Sequence, residues 1–262
     1  MPGAFYEPEG DRYLATELTR GPWDEEAQHA GPPAALLGRE IELLEDGAEF
    51  QLGRLTFEIL RSVPIAPLRV EARIARPGRR VQLVEASLRD AEGEVMRASG
   101  WRLRTAEVAL PEDAIAADAA PPGPEQGTDA DFFPTGKEIG YQTAMEYRFV
   151  DGSFLDPGPA TVWMRMRHPL VDGEPPSPLQ RVLTAADSGN GVSATLDWRR
   201  FIFINVDLTV QLERLPAGEW VCLDAVTLPQ RSGIGSADTL LYDERGRIGR
   251  AMQTLLVGER AS

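Results

Sequence analysis

The sequence predicts an α+β protein built twice on one plan, a helix of small residues set against a multi-stranded antiparallel sheet. Three observations carry this. Two runs at helical spacing, GPPAALLGREIELL (31–44) and PLQRVLTAADSGNGVSATL (178–196), are rich in small residues and each precedes a train of strands. Within the trains, apolar and polar residues alternate and turn residues separate the segments. The trains also match each other at one constant offset. With Asp90 set on Asp243, Gly93 falls on Gly246, Arg97 on Arg250 and Ala98 on Ala251; LTFEILR (55–61) falls on LTVQLER (208–214) without a gap.

The first element is the helix over 31–44. Pro32 and Pro33 suit its first turn, where a missing N–H costs nothing. In RLTFEILR, Leu55, Phe57 and Ile59 alternate with Thr56 and Glu58. In LRVEARIARPGRR, Leu68, Val70, Ala72 and Ile74 alternate with Arg69, Glu71 and Arg73, and Pro-Gly ends the run. RRVQLVEASLRD and EVMRASGWRLR form a hairpin about the turn D-A-E-G. The later half opens with a strand at ATVWMRMRH (160–168), where His168 reads as a strand-end surface residue. The helix over 178–196 follows, then FIFINVDLTVQLER, EWVCLDAVTL, SADTLLYD and RIGRAMQTLLV as strands. The segment 106–136, AEVALPEDAIAADAAPPGPEQGTDADFFPTG, contains no Lys or Arg and is rich in Pro, Gly, Asp and Glu. Such composition buries too little apolar area to offset its ordering entropy. The expected organisation is an N-terminal unit over 1–105, an acidic Pro/Gly-rich linker over 106–137 and a C-terminal unit over 138–262.

Charge and composition exclude several classes. Against 41 acidic side chains stand 27 basic ones, a net charge of −14, which argues against nucleic acid as a partner because that binding rests on Lys and Arg neutralising phosphates. Cys222 is the only cysteine, so an intrachain disulfide is impossible, in keeping with a reducing compartment. The opening MPGAFYEPEGDRY lacks the basic and apolar regions of a signal peptide. Nothing approaches the roughly 18 apolar residues that span a bilayer. The expectation is a soluble cytoplasmic protein with no membrane span. Two His and one Cys make no convincing metal site, and no cofactor is expected.

One acid stands out. In TAADSGNGVSATLDW (184–198), Asp187 sits among Ala, Ser and Gly rather than among other charges. Small residues let a helix approach the concave face of a sheet, and that role stands whatever Asp187 does. If the helix is buried, the carboxylate loses water, and desolvation pushes a carboxyl pKa upward. From the residues alone, two readings stay open: a catalytic base, or an acid that bonds local backbone or pairs with an Arg. Gln253 interrupts an apolar terminal strand, with Leu255 and Val257 at the same parity. A buried amide left unpaired costs about 1–3 kcal/mol, and Asp187 or a water shared with it is an available partner.

The motif PWDEEAQHAGPPAALLGREIE (22–42) resembles the first helix of actinobacterial thioesterase-like proteins. LQRVLTAADSGNGVSATLDWRRFIFINVDLTVQL (179–212), followed by GEWVCLDAVT and DERGRIGRAMQTLLV, resembles their second half. These are relatives of the type-II acyl-CoA thioesterases, and the resemblance covers nearly the whole chain except the acidic linker. It implies a double hotdog fold: two fused units, each with one long central helix wrapped by a curved antiparallel sheet, the sheets continuous and an acyl cleft between the units. It implies hydrolysis of an acyl-CoA to free acid and CoA, with an Asp, a hydroxyl residue and a Gln orienting the attacking water. Carried over position by position, the Asp is Asp187 and the Gln is Gln253. The hydroxyl position falls on Asn205, a departure, since Asn donates and accepts hydrogen bonds but is no hydroxyl. Thr209, four residues on, is expected on the same face of the same strand. Trp23 and His29 ahead of the first helix, Gly189 and Asn190 beside Asp187, and Thr209 make up the expected substrate-binding set.

Two other functions compete. The Asn at the hydroxyl position motivates a non-catalytic acyl or acyl-CoA binding protein that kept the cleft. His29 before a hotdog helix, with Glu40 on it, suggests a hotdog dehydratase. No G-x-S-x-G elbow is present, which argues against a serine thioesterase of the α/β-hydrolase type. With an overall charge of −14, the CoA phosphates need a locally basic patch. Candidates are Arg76, Arg79 and Arg80; Arg199 and Arg200; and Arg245 and Arg247. Exposed sheet edges are compatible with a homo-oligomer.

Overall fold

The computed structural model describes residues 2–44, 50–114, 120–132, 134 and 136–260. In chain order the elements are β1 (Tyr6–Glu9), β2 (Arg12–Ala15), α1 (Gly31–Glu42), β3 (Phe50–Ile59), β4 (Pro67–Arg76), β5 (Val81–Arg89), β6 (Glu94–Arg104), α2 (Tyr141–Ala144), β7 (Met145–Asp151) and β8 (Ala160–Met166). There follow α3 (Pro178–Ala186), α4 (Gly189–Val192), β9 (Phe201–Asn205), β10 (Asp207–Leu212), β11 (Val221–Pro229), β12 (Ile234–Asp243) and β13 (Gly246–Glu259). The described strands form one antiparallel sheet in the order β1-β2-β4-β5-β6-β3-β10-β13-β12-β11-β8-β7, with β9 paired to β13.

The alternation read from the sequence is the alternation of burial. Along β5, Gln82, Val84, Ala86 and Leu88 point inward while their neighbours are more exposed; along β13, Ala251, Gln253 and Leu255 are buried between exposed Met252, Thr254 and Leu256. The inner face of the sheet packs on α1 and α3, and one contiguous apolar cluster runs through both halves, from Phe57, Leu68 and Met96 to Leu183, Leu223 and Leu241. The two helices touch each other as well. A Cβ on Gly31 would collide with the Thr184 carbonyl oxygen of α3, so only Gly permits this approach.

The middle of the sheet is the β3–β10 pairing. Thr56 lies opposite Thr209, Leu55 opposite Val210 and Phe57 opposite Leu208. Thr56 and Thr209 are equivalent under the sequence offset that equates Asp90 with Asp243. A second equivalent pair is an ion pair in each half: Arg61 with Asp90 and Arg214 with Asp243. Both aspartates also accept backbone N–H groups of the hairpin turn that follows them.

Three sequence expectations need correction. The helix expected over 178–196 is interrupted: α3 ends at Ala186, Asp187 and Ser188 form a turn, and α4 covers only Gly189–Val192. Two Gly and an Asn in α4 are poor helix formers, each Gly costing roughly 1 kcal/mol relative to Ala, which keeps the continuation after the break to four residues, and the break frees polar backbone groups that the sheet then uses. Neither half therefore has one long central helix; α1 itself has 12 residues. Secondly, FIFINVDLTVQLER is two strands. Asn205 faces Leu255 whereas Thr209 faces Met252, so Val206 adds one residue to this side of the ladder. A one-residue slip turns every later side chain to the other face, and Thr209 does not share a face with Asn205. Thirdly, three strands carried no recognised signal. β1 and β2 form a hairpin that extends the sheet at β4, and β7 pairs with β8 at the opposite edge.

Within the acidic segment, residues 115–119, 133 and 135 lie outside the described residues. Its later part packs on β7 and β8: the Pro122 carbonyl accepts the Trp163 indole N–H at 2.6 Å, and Thr128 bridges to Phe149. No described helix is long and apolar enough to cross a membrane.

Candidate active site

The break after α3 places Asp187 where two parts of the sheet reach it. Asp187 is buried at 7 % exposure. Its Oδ1 accepts Nδ2–H of Asn205 at 2.8 Å and Nε2–H of Gln253 at 3.1 Å. The same Gln253 amide donates to the Asp187 backbone carbonyl at 3.0 Å, and its Oε1 accepts the Asn190 N–H at 3.0 Å. Gln253 thus satisfies two backbone groups at the helix break, which gives this buried amide its partners. Asn205 spends its second Nδ2–H on the Asp207 carbonyl at 3.1 Å. The hydrogen bonds that both amides donate hold Asp187 in place.

The other carboxylate oxygen faces His29. His29 Nδ1 lies 3.1 Å from Asp187 Oδ2 and 3.1 Å from the Gly31 N–H. With a proton on Nδ1, His29 donates to Asp187; with Nδ1 bare, it accepts from Gly31. Burial lowers the His29 pKa, and the nearby Asp187 charge opposes this only in part. The neutral imidazole is therefore the resting form at neutral pH. Its ring stacks on Tyr141, 3.8 Å between centroids and 7° between planes. The Tyr141 hydroxyl donates to the Thr184 carbonyl at 2.6 Å and meets Ser188 Oγ at 2.9 Å, tying the ring to the same helix break.

A cavity of about 320 Å³ opens over this group. His29, Asp187, Asn190, Asn205 and Arg61 are among its polar lining, and Trp23, Ile59, Val63, Phe132, Tyr147 and Phe154 are among its apolar walls. Phe154 sits edge-on to Phe132, Tyr147 and Phe149, with centroids 4.5–5.0 Å apart. A second cavity of about 280 Å³ adjoins through Trp23, Phe154 and Gly191. A largely apolar pocket with a few convergent polar groups at one end is a common form of small-molecule site.

The structure brings together Asp187, Gln253, Asn205, His29 and Asn190, with Trp23 in the cavity wall. Two expected binding residues lie elsewhere. Thr209 is on the outer side of the ladder irregularity, its hydroxyl 3.1 Å from that of Thr56. Gly189 does not line the cavity; a Cβ there would strike the Thr239 hydroxyl, so this residue lets α4 rest on β12. Sequence reasoning missed Tyr141, Tyr147, Phe132 and Phe154, which lie in or next to the acidic segment, where composition masked the aromatic spacing. In the thioesterase reading it also gave His29 only a lining role, since nothing local shows that α1 meets α3. Among the described residues no cluster of His, Cys, Asp and Glu is placed to hold a metal ion.

Comparison with known proteins agrees with this architecture. Residues 19–103 match the acyl-CoA thioesterase N-terminal domain and residues 111–257 the acyl-CoA thioesterase C-terminal domain, the latter spanning more than half of the chain. No curated protein matches by sequence. Among solved structures, a candidate thioesterase II from Thermobifida fusca YX superposes with a TM-score of 0.75 at 19% identity, covering 95% of this chain and 93% of that one. A conserved protein of unknown function with hot dog fold from Alicyclobacillus acidocaldarius gives 0.73 at 16%, covering 98% and 96%. An acyl-CoA thioesterase II, TesB2, from Mycobacterium marinum gives 0.66 at 17%, covering 97% and 95%. At these identities the likeness is one of fold, an α+β hotdog fold.

Proposed function

Because the chain belongs to the acyl-CoA thioesterase family and is a thioester hydrolase, we propose that it cleaves acyl-CoA thioesters with Asp187 as the base, in a double hotdog of two fused units. The observation that carries the catalytic part is the carboxylate itself: Oδ1 is held by Asn205 and Gln253 while Oδ2 is turned to His29 at the polar end of the cavity. A water beside Oδ2 gives it a proton as the water oxygen attacks the thioester carbonyl. The tetrahedral intermediate collapses with loss of the CoA sulfur, which takes the proton back; the products are a carboxylic acid and CoA. Asn205 and Gln253 act by fixing the carboxylate, and the Asn205 oxygen is left to accept from the water. The acyl group lies along Trp23, Phe132, Tyr147 and Phe154.

The two-unit reading is supported by the self-consistent β3–β10 register, in which Thr56 meets its own repeat equivalent, and by the paired Arg–Asp contacts.

Asp187→Asn tests the base. An Asn at this position keeps an oxygen for the Asn205 and Gln253 donors, so the fold survives, but it cannot take a proton. Turnover of acyl-CoA esters should fall by roughly 10²–10⁴-fold, read as release of free thiol. A folded variant with wild-type turnover rejects the assignment, and saturable acyl-CoA binding without turnover by the wild type returns the chain to a ligand holder.

A further inference from the structure

The acyl end of the substrate has a place in the cavity above; the nucleotide end of CoA, with its diphosphate and 3′-phosphate, does not. We propose that Arg199, Arg200 and Arg260, gathered on Trp198, Trp23 and Phe201 beside the cavity mouth, form the subsite for that nucleotide. The inference rests on the acyl-CoA reading.

The group is assembled from two distant segments. The Arg260 N–H donates to the Arg200 carbonyl at 2.9 Å, and Arg260 Nε donates to the Trp198 carbonyl at 2.7 Å, so the end of β13 is pinned to the turn before β9. The guanidinium of Arg199 lies 5.2 Å from the Trp198 ring centroid, that of Arg200 5.5 Å from Phe201 and that of Arg260 5.9 Å from Trp23. Arg199 lines the second cavity, which shares Trp23 and Phe154 with the cavity holding Asp187. The two cavities meet at Trp23, so a thioester at Asp187 lies beside the cavity that Arg199 lines, with the Arg260 guanidinium on the Trp23 ring.

Charge balance separates this group from its rivals. Its acidic neighbours are Asp197, which accepts the Arg199 backbone N–H at 2.9 Å, and Glu259, opposite Phe201 in the ladder. Among the described residues none of the three arginines forms an ion pair, so an excess of positive charge faces outward in a chain of net charge −14. The arginines lining the third large cavity, Arg12, Arg61, Arg69 and Arg89, are interleaved with Glu71, Asp90 and Glu92, and Arg69 pairs with Asp11 at 2.6 Å; four cations meet four anions there. Arg247 is engaged by Glu213 at 3.3 Å. Of these arginines only Arg61 lines the Asp187 cavity, and Asp90 and Glu92 pair with it; Arg76 lines neither cavity. Planar guanidinium groups bond phosphate oxygens in pairs and stack on purines, so arginine layered on tryptophan suits a phosphorylated adenosine.

The test compares one acyl group carried on CoA and on pantetheine, which lacks the nucleotide. In Arg199→Ala/Arg200→Ala, and in Arg260→Ala, kcat/KM for acyl-CoA should fall about tenfold or more relative to acyl-pantetheine, since charge-assisted hydrogen bonds are lost. In parallel, calorimetry with adenosine 3′,5′-bisphosphate should give binding to the wild type and about tenfold weaker binding to the variants. An unchanged ratio, no bisphosphate binding by the wild type, a loss confined to acyl-carrier-protein substrates, or a loss produced instead by Arg89→Ala each overturns the proposal. If the wild type hydrolyses neither ester, the thioesterase reading fails, while calorimetry still decides the subsite.

Discussion

Replacing Gln253 by Leu removes three contacts at once with little change in volume. Two are neutral bonds, Nε2 to the Asp187 carbonyl and the Asn190 N–H to Oε1; the third runs from Nε2 to the Asp187 carboxylate. Neutral bonds contribute about 0.5–1.5 kcal/mol each and a bond to a charged group about 1.5–3. These sum to about 2.5–6 kcal/mol, and the Asn190 N–H and the Asp187 carbonyl are also left buried and unpaired. A fold in the middle of the ordinary range of about 5–15 kcal/mol survives that loss, with the melting temperature down by roughly 10 °C. Catalysis should suffer separately: the carboxylate keeps only the Asn205 bond on Oδ1, and a misplacement of about 1 Å costs on the order of 10²-fold in turnover. Thermal unfolding and thiol-release kinetics on the same preparation read both effects. A melting temperature within about 2 °C of the wild type, or an unchanged turnover in the folded variant, would refute the reasoning that Gln253 both closes the helix break and aims the base.

Protonation of His29 is opposed by burial, so its folded pKa lies below the usual value near 6.5. Between the two values the unfolded chain binds the extra proton, and the His29 contribution to stability is fully present above about pH 6.5 and lost as pH falls through the folded value. Urea midpoints measured from pH 8 to pH 5 should fall more for the wild type than for His29→Gln; the opposite order contradicts the sign. In α1, Gly31→Ala sets about 1 kcal/mol of helix propensity against a Cβ driven into the Thr184 carbonyl. Overpacking of a rigid neighbour costs about 1–3 kcal/mol, so the clash wins and the variant is less stable by denaturant titration; a more stable variant shows that the two helices have room to part.

Much of the sheet was legible because period-two alternation is a local property. RLTFEILR, RRVQLVEASLRD and RIGRAMQTLLV each announce a strand, and each side chain's face follows from its neighbours. Where a feature depended on distant packing, local pattern was a poor guide. The run of Ala, Ser and Gly over 184–194 reads as continuous helix, yet Gln253 from the last strand stabilises a break at Asp187 by bonding two backbone groups there. Thr209 reads as a facial neighbour of Asn205 until Val206 slips the ladder by one. The β1–β2 hairpin forms against β4, and β7 against β8, with sheet edges waiting for them rather than with strong signals of their own.

By itself the sequence determined the helix-and-sheet character, the strand faces and two chemical oddities, a lone acid among small residues and an amide in an apolar strand. Only the tertiary structure decided that these two meet, that Asn205 and His29 close on the two oxygens of one carboxylate, and that Phe132 from the acidic segment and Tyr141 just after it help wall the pocket. Side-chain periodicity is set within a few residues, whereas the distances that make a site are set by sheet register and helix contact between segments tens to more than a hundred residues apart.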